Sequence, residues 1–267
     1  MNENRTTDHT FAILAHQKSP YLEPCIKSLL SQTIKSKILI TTSTPSNYLD
    51  DISKKYNIPI AINNDRKGIA ADWSFGYNST NTKYVTLAHQ DDIYFPEYTD
   101  LILYTNKNKK RNLITFTNYC EIYNGEYRYT NSLLLIKRLI IYPFFIFRSE
   151  ISSSHFLRLM LSFGNPICCP TIMYNKKNIG RFKFNGEFHM NLDWEAGIRL
   201  TKISGSFTYI KKILMARRIH KGSESNKSLE TNRRQYEDLI IFNNIWPRPI
   251  AKLILKLYPI CYKSINN

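Results

Sequence analysis

The chain has 267 residues, of which 43% are hydrophobic, and its 37 Lys and Arg against 21 Asp and Glu give a formal net charge of +16. This hydrophobic content, with 18 Tyr and 14 Phe, is enough for a packed core and excludes a disordered chain. The excess charge indicates an anionic partner, either a nucleic acid, an anionic membrane surface or a phosphate-bearing small molecule, unless it is only a lysine-rich surface. Because no recognition helix, RNP-like strand or zinc finger is evident, we predict no nucleic-acid binding.

Three sequence features bear on the location of the protein: the N-terminus, the most apolar stretch and the cysteines. The N-terminal sequence MNENRTTDHTFAIL lacks a basic segment followed by an apolar one, so we expect no signal peptide. The most apolar stretch, residues 133–147, contains Lys137-Arg138 and Pro143 and is too short to span a bilayer. Five cysteines without CxxC spacing are expected to be reduced thiols. We therefore expect a cytoplasmic protein, either free or peripheral on the inner face of the cell membrane.

Short apolar runs alternate with helical patterns in the first half of the chain. Four runs have the composition of buried strands: 11–15, 37–42, 58–62 and 84–88. Three segments between them have helical spacing of apolar residues: 21–32, 46–56 and 68–78. This alternation predicts βαβ crossovers and a largely parallel sheet, in which ligands bind beyond the carboxyl ends of the strands. The segments on that rim would be 15–17, 42–44, 63–67 and 89–92.

The second half has a different character. Asn124-Gly125 predicts a type I′ turn in a hairpin over residues 121–129. A helix is predicted from Asn191, as its N-cap, to about residue 203. The remaining predicted elements are a loop (164–170), a short strand (171–174), two strands (207–210 and 213–219), a Ser/Asn/Gly-rich loop (221–228) and two helices on either side of Trp246-Pro247.

Two adjacent carboxylates, Asp91 and Asp92, follow the strand predicted at 84–88. At a strand end they can hold a divalent cation that bridges diphosphate oxygens, and a cation offsets their mutual repulsion. An Asp-Asp turn that caps the next helix is the alternative interpretation, and the spacing by itself leaves both open.

Several motifs occur in the order of a known family. In chain order they are Tyr21-Leu22 with SLLSQT (28–33), Asn64 and Gly68 in an NxG-like turn, AADW (70–73), LAHQDDIYFP (87–96) in place of DxDD…P, Gly164-Asn165-Pro166 with Pro170-Thr171, Leu192-Asp193-Trp194-Glu195 with Arg199-Leu200, and Arg218-Ile219-His220. Over residues 11–225 the chain thus resembles the inverting family 2 glycosyltransferases of the GT-A fold. It is most similar to bacterial enzymes that build capsule and other surface polysaccharides.

The resemblance implies an α/β GT-A fold, the Rossmann-like mixed sheet of nucleotide-diphospho-sugar transferases. The expected domain covers residues 8–228, with a donor half to about residue 120 and an acceptor half from 121, and a C-terminal helical extension covers 229–267. The implied reaction moves a sugar from a nucleotide-sugar donor, expected to be a UDP-sugar, to a glycan or lipid-linked saccharide acceptor. The implied cofactor is Mn²⁺ or Mg²⁺.

The resemblance also assigns site residues. Asp193 matches the family's general base, which deprotonates the acceptor hydroxyl, and its place in the first turn of a helix favours the ionised form through the helix dipole. A residue that only complements the dipole is the alternative. The implied metal ligands are Asp91, Asp92 and His220. The implied donor-binding residues are His16, Thr42, Asn64, Gly68, Asp72, His89, Asp91, Arg218 and His220.

Two positions depart from the family pattern. His89 replaces the first acid of DxD, although histidine can also bind Mn²⁺ or a phosphate oxygen. Thr42, Ser43 and Thr44 replace the acidic residues usual after the second strand, where Asp65 or Asp72 could substitute. Glu195 is expected to pair with Arg199, one helical turn away.

Two other functions compete with this interpretation. A nucleotidyltransferase also places acids beyond a parallel sheet, but residues 15–20 lack the glycines of its phosphate loop. A non-catalytic scaffold at a membrane surface is the second alternative.

The C-terminal segment has amphipathic spacing. Ile250, Leu253, Ile254 and Leu257 form an apolar stripe, with Arg248, Lys252 and Lys256 opposite. We expect this segment to dock on an anionic membrane surface, with residues 133–147 as a second contact. A stripe that packs on the protein's own core or on a second subunit is the alternative.

Overall fold

A computed structural model describes residues 7–65, 68–220 and 233–263, with side chains given up to residue 256. Strands and helices alternate in its first half: β1 (His9–Leu14), α1 (Leu22–Leu30), β2 (Lys37–Thr42), α2 (Asn47–Tyr56), β3 (Ile60–Ile62), α3 (Ile69–Asn78) and β4 (Tyr84–His89). All seven predicted elements of this half are confirmed, with ends that differ by at most two residues. The apolar side chains whose spacing predicted these elements are the ones buried in the core.

The second half is more irregular. It contains β5 (Ile93–Tyr94), α4 (Tyr98–Asn106), β6 (Asn112–Tyr123), β7 (Glu126–Arg128), α5 (Ser132–Phe145), β8 (Glu150–Ile151), α6 (Ser154–Leu161), a 3₁₀ turn (Cys169–Thr171), β9 (Met173–Asn175), α7 (Lys176–Ile179), α8 (Leu192–Leu200), β10 (Ser206–Ile219), α9 (Arg233–Ile245) and α10 (Arg248–Lys263). The predicted hairpin is confirmed as β6–β7. Asn124 and Gly125 at its tip have φ angles of 51° and 88°, as a type I′ turn requires.

Two predicted strand boundaries are wrong. The runs at 207–210 and 213–219 are one strand, β10, which stays paired with β6 through register shifts between Ile210 and Met215. The shifts accommodate the exposed Lys211-Lys212 pair, so the apolar alternation is interrupted while the hydrogen bonding continues. Residues 169–171, at the start of the strand predicted at 171–174, form a 3₁₀ turn instead.

The strands form one sheet in the order β3-β2-β1-β4-β9-β6-β10-β5. β1 to β4 are parallel, as predicted, and β6 is parallel to β10. β9 is antiparallel to both β4 and β6, so β6 and β10 run in the same direction as β4. The carboxyl ends of β1 to β4, β6 and β10 therefore meet at one edge, and the segment after β4 lies there with the end of β10.

The C-terminal helices complete the core that the earlier elements build. Ile241 and Phe242 of α9 are buried in the same cluster as Trp194 of α8, with the Phe242 and Trp194 ring centroids 5.2 Å apart. The boundary predicted between 228 and 229 lies outside the described residues and stays a prediction.

Helix α10 does not present the single apolar stripe that its sequence indicates. Ala251 is fully buried, and Ile254 and Leu255 pack partly buried against the core, whereas Ile250 and Leu253 remain 42% and 59% exposed. The side chain of Leu257 lies outside the described part of the chain. Among the helices described, none is long and apolar enough to cross a membrane.

Candidate functional site

The two adjacent carboxylates stand in a turn directly after β4, and Asp92 is the buried one. Its backbone N–H donates to the carbonyl of His89 at 3.2 Å, and its side chain is only 2% exposed. Asp92 Oδ1 accepts a hydrogen bond from the backbone N–H of Arg218 at 2.9 Å, while Oδ2 has no hydrogen-bond partner in the described structure. Burial raises the pKa of Asp92 to about 7, against the N–H of Arg218 and the charge of Arg217, which lower it.

Asp91 is on the accessible side of the turn and joins distant parts of the chain. Its Oδ1 accepts from Ser19 Oγ at 2.9 Å, and its Oδ2 lies 3.1 Å from Nε2 of His220. Arg218 Nε donates to the backbone carbonyl of Asp91 at 3.0 Å. Arg218 and His220, two residues apart near the end of β10, thus both contact the carboxylate turn, in agreement with strand alternation.

Tyr21 holds these two side chains together. The guanidinium of Arg218 lies over the Tyr21 ring at 4.6 Å, and the ring of His220 is 4.9 Å from it. A cation over an aromatic face is attracted by its quadrupole, which restrains Arg218 beside Asp91. Tyr21 and Ser19 received no role from the sequence. Tyr21 could have been suspected from its motif, whereas Ser19 carries no such signal.

His89 contributes a neutral imidazole to this turn. Its ring lies 5.2 Å from that of Trp73 on α3, and burial lowers the pKa of His89 to about 4. Because desolvation opposes the charged form, the ring is uncharged at neutral pH. His89 therefore replaces an acidic residue with a dipole that can donate or accept a hydrogen bond.

Asp72 ties the ends of β2 and β3 to α3. Its Oδ2 accepts from Ser43 Oγ at 2.8 Å and its Oδ1 from Asn63 Nδ2 at 3.0 Å. Both partners follow the strands that line the predicted rim. Asp72 thus supplies the carboxylate that the sequence lacks at residues 42–44, although both of its oxygens are engaged by the protein.

The other predicted donor residues are distributed along the same edge. His16 exchanges two hydrogen bonds with the side chain of Gln90, at 3.1 and 3.0 Å. Thr42 is buried and its Oγ1 accepts from the N–H of Thr44 at 3.0 Å. Asn64 is exposed on one side of the undescribed residues 66–67, and Gly68, with a φ of 112°, precedes α3 on the other side. The structure therefore brings His16 close to the carboxylate turn, while Asn64 and Gly68 form the outer part of the rim.

Asp91, Asp92 and His220 are the predicted ligands of a divalent cation. No group of three or more His, Cys, Asp or Glu side chains is assembled for a metal in the described ranges. Asp91 Oδ2 and His220 Nε2 face each other and fit as two ligands that leave positions for diphosphate oxygens and water. Asp92 has one buried, unpartnered oxygen beside this pair, and its role as a ligand stays a prediction.

Asp193, the predicted general base, lies in the first turn of α8. Its Oδ1 accepts from the N–H of Trp194 at 2.9 Å, and its side chain keeps partial exposure. Burial raises the pKa of Asp193, opposed by Lys137 and by that N–H. Removal of water from the carboxylate therefore opposes the ionised form that the position in the first turn of the helix favours. A raised pKa makes the carboxylate a stronger proton acceptor.

Three cations surround Asp193, each from a different element. Lys137 of α5, Arg217 of β10 and Arg234 of α9 all lower its pKa. Lys137 Nζ lies 5.6 Å from the centre of the Tyr119 ring, and Arg217 is 4.0 Å from Oε1 of Glu121. Sequence reasoning assigned none of them, because their convergence depends on tertiary structure.

Glu237 of α9 holds the start of α8. Its buried carboxylate accepts hydrogen bonds from the backbone N–H groups of His189 (2.9 Å), Met190 (2.9 Å) and Asn191 (3.0 Å). The side chain of Asn191, which the sequence predicted to cap α8, instead donates to Asp238 at 2.8 Å and makes no cap hydrogen bond. Asn191 is the N-cap residue of α8, as predicted, and only its side-chain cap hydrogen bond is absent, because Asp238 engages the amide. The spacing of Glu237 and Asp238 from Ile241 and Phe242 places both acids on the buried face of α9, a signal that was available in the sequence.

The neighbours of Asp193 in α8 have structural roles. Trp194 is fully buried and its Nε1 donates to the carbonyl of Leu161 at 2.8 Å. The predicted pair of Glu195 and Arg199 is confirmed, with Oε1 and Nε 2.6 Å apart. In this first turn Asp193 is thus the carboxylate that faces the three cations.

Comparisons with known proteins identify the family and the fold. The sequence model of glycosyl transferase family 2 matches residues 10–181. The fold is similar to that of S. aureus TarS residues 1–349, with a TM-score of 0.59, 12% identity, and coverage of 92% of this chain and 69% of TarS 1–349. For the complex of TarS 1–349 with UDP-GlcNAc the TM-score is 0.61 at 11% identity, with 96% and 72% covered. No curated protein matches significantly in sequence.

Glu237→Gln tests the clamp on α8. An amide presents an N–H₂ group to backbone donors that now face a carboxylate, so we expect a loss of about 2 to 4 kcal/mol in the free energy of unfolding by urea. The exposed Glu187→Gln, on the segment before α8, is the matched control and should stay within about 0.5 kcal/mol of wild type. Equal stability of the two variants would show that the clamp contributes nothing.

Proposed function

The chain belongs to glycosyl transferase family 2, and from this premise we propose that it is an inverting enzyme that transfers the sugar of a UDP-sugar. The observation that carries the proposal is the convergence of Asp91, Asp92, Arg218 and His220 at the sheet edge. Arg217 links this site to Asp193, because it lies within electrostatic range of both Asp92 and Asp193. Family membership makes the protein a glycosyltransferase. It thereby removes the nucleotidyltransferase and the non-catalytic scaffold as alternatives.

The donor diphosphate would bind at the carboxylate turn. Arg218 can bind a phosphate oxygen from its position over Tyr21, while Nε2 of His220 faces Asp91 and would serve the cation. Asp91 and His220 would hold Mn²⁺ or Mg²⁺, with Asp92 adding negative charge or a further ligand. When bound, the cation would neutralise charge that grows on the leaving nucleoside diphosphate. S. aureus TarS is known in complex with UDP-GlcNAc and UDP, which supports a uridine nucleotide here.

Asp193 would be the general base of a single displacement. Its carboxylate accepts the proton of an acceptor hydroxyl while the hydroxyl oxygen bonds to the anomeric carbon and the bond to the diphosphate breaks. The burial-raised pKa of Asp193 favours proton uptake, and the nearby Lys137, Arg217 and Arg234 keep it ionised before the reaction. Attack opposite the leaving group inverts the anomeric centre.

The acceptor is proposed to be a glycan or a lipid-linked saccharide of bacterial surface polysaccharide synthesis, such as that of capsule. This places the enzyme in the cytoplasm, at the inner face of the membrane. Residues 8–120 would form the donor half and 121–228 the acceptor half, because most donor-side residues follow β1 to β4 and the base lies on α8. Arg218 and His220 would reach the donor half from the end of β10. The extension from 229 supplies Arg234 and Glu237 to the acceptor side.

Asp91→Ala should weaken Mn²⁺-dependent binding of UDP by at least about 10-fold, because it removes the accessible carboxylate of the donor site. Asp92→Asn should weaken it as well if Asp92 is a ligand. Calorimetric titration of UDP with and without Mn²⁺ measures both effects, and Asp50→Ala, an exposed acid on α2, is the control. Unchanged metal-dependent affinity in both variants would remove the donor-site assignment.

Asp193→Asn should lower turnover by about 10² to 10⁴, the usual contribution of a general base, and leave UDP affinity nearly intact. The amide oxygen can still accept from the N–H of Trp194, so the fold is expected to survive. Release of UDP from a panel of UDP-sugars with candidate acceptors gives the rate. Glu195→Gln, in the same turn, is the matched control with near wild-type turnover, and an equally active Asp193→Asn would exclude Asp193 as the base.

A further inference from the structure

Helix α5 leaves a row of large apolar side chains exposed. Leu135, Leu139 and Tyr142 are 49%, 69% and 58% exposed, and their spacing of four and three residues places them on one face of the helix. Phe147, just after the helix, is 91% exposed. On the opposite face, Leu134, Ile141 and Phe145 are buried in the core, so burial in the core does not account for the exposed row.

Helix α10 extends this apolar area, because it contacts α5. Its Ile250 and Leu253 are 42% and 59% exposed, while its buried face is provided by Ala251 and by the partly buried Ile254 and Leu255. We name the six exposed residues the α5–α10 surface: Leu135, Leu139, Tyr142, Phe147, Ile250 and Leu253.

The two chain segments that carry the α5–α10 surface have charges of one sign. Residues 127–149 and 239–267, which contain both helices, have no Asp or Glu at all. Their basic residues are Arg128, Lys137, Arg138, Arg148, Arg248, Lys252, Lys256 and Lys263. Arg148, Lys252 and Lys256 are exposed. An apolar area on segments whose charges are all basic is complementary to a surface with an anionic outer layer and an apolar interior.

We propose that the α5–α10 surface docks on an anionic lipid membrane, with its apolar side chains inserted between headgroups and its basic residues on lipid phosphates. A second copy of the chain fits less well, because a symmetric contact would bring like charges together. The purpose of docking rests on the proposed function. Lys137 belongs to helix α5 and lies within electrostatic range of Asp193. Docking would therefore bring the acceptor side, near Asp193, close to a lipid-linked acceptor.

Flotation with vesicles tests the proposal independently of catalysis. The full chain should float with vesicles of phosphatidylcholine and phosphatidylglycerol, stay unbound with phosphatidylcholine alone, and dissociate as salt rises. Leu139→Asp combined with Leu253→Asp should reduce the bound fraction at least about 10-fold, because it places two carboxylates against the anionic layer. Tyr104→Asp, at a 76% exposed aromatic on α4, is the matched control and should bind as wild type does.

Folding and oligomeric state are measured on the same samples. Thermal midpoint and UDP affinity should be unchanged in Leu139→Asp/Leu253→Asp, which separates docking from the donor site and from folding. Equal flotation of this variant and wild type would overturn the proposal. So would sedimentation that shows a wild-type dimer lost in the variant without any vesicle binding, since the surface would then be a subunit interface. Docking without any glycosyl transfer would contradict the proposed function alone.

Discussion

The buried carboxylate of Asp92 and the backbone N–H of Arg218 form the contact on which the site depends. A carboxylate at 2% exposure is costly unless it is paired, and this hydrogen bond joins the turn after β4 to the end of β10, 126 residues later in the chain. With Asp92 fixed, Asp91 meets Ser19 and His220, and Arg218 is seated over Tyr21. The proposed donor site is therefore assembled by contacts between distant parts of the chain rather than by one local motif.

The acceptor side depends on a second long-range contact. Glu237 takes three backbone N–H groups at the start of α8, which fixes the helix that carries Asp193. The same helix α9 adds Arg234 to the cations around that carboxylate. The last helices thus belong to the proposed catalytic architecture, and the positive charges of Lys137, Arg217 and Arg218 suit chemistry whose leaving group is a diphosphate.

The features that could be predicted from the sequence are those that local residue patterns determine. β1 to β4 and α1 to α3 were predictable because apolar periodicity is a local property, and parallel pairing then placed His16, Thr42 and Asp91 at one edge. The continuity of β10 could not be predicted, because Lys211-Lys212 interrupt its apolar alternation at a bulge. The raised pKa of Asp193 could not be predicted, because the sequence displays the helix start but not the burial. Ser19, Lys137 and Glu237 act across the fold, and only the tertiary structure brings them to the site.

The central claim is that Asp193 is the general base of a single displacement in which the donor diphosphate leaves. The most direct measurement is the anomeric configuration of the sugar at early times, by ¹H NMR, when α-configured UDP-sugars react with an acceptor or with water. Because displacement by one base-activated nucleophile inverts the centre, the β-configured product should form first, and Asp193→Asn should form it about 10² to 10⁴ times more slowly. A first-formed product with the α configuration would contradict the account.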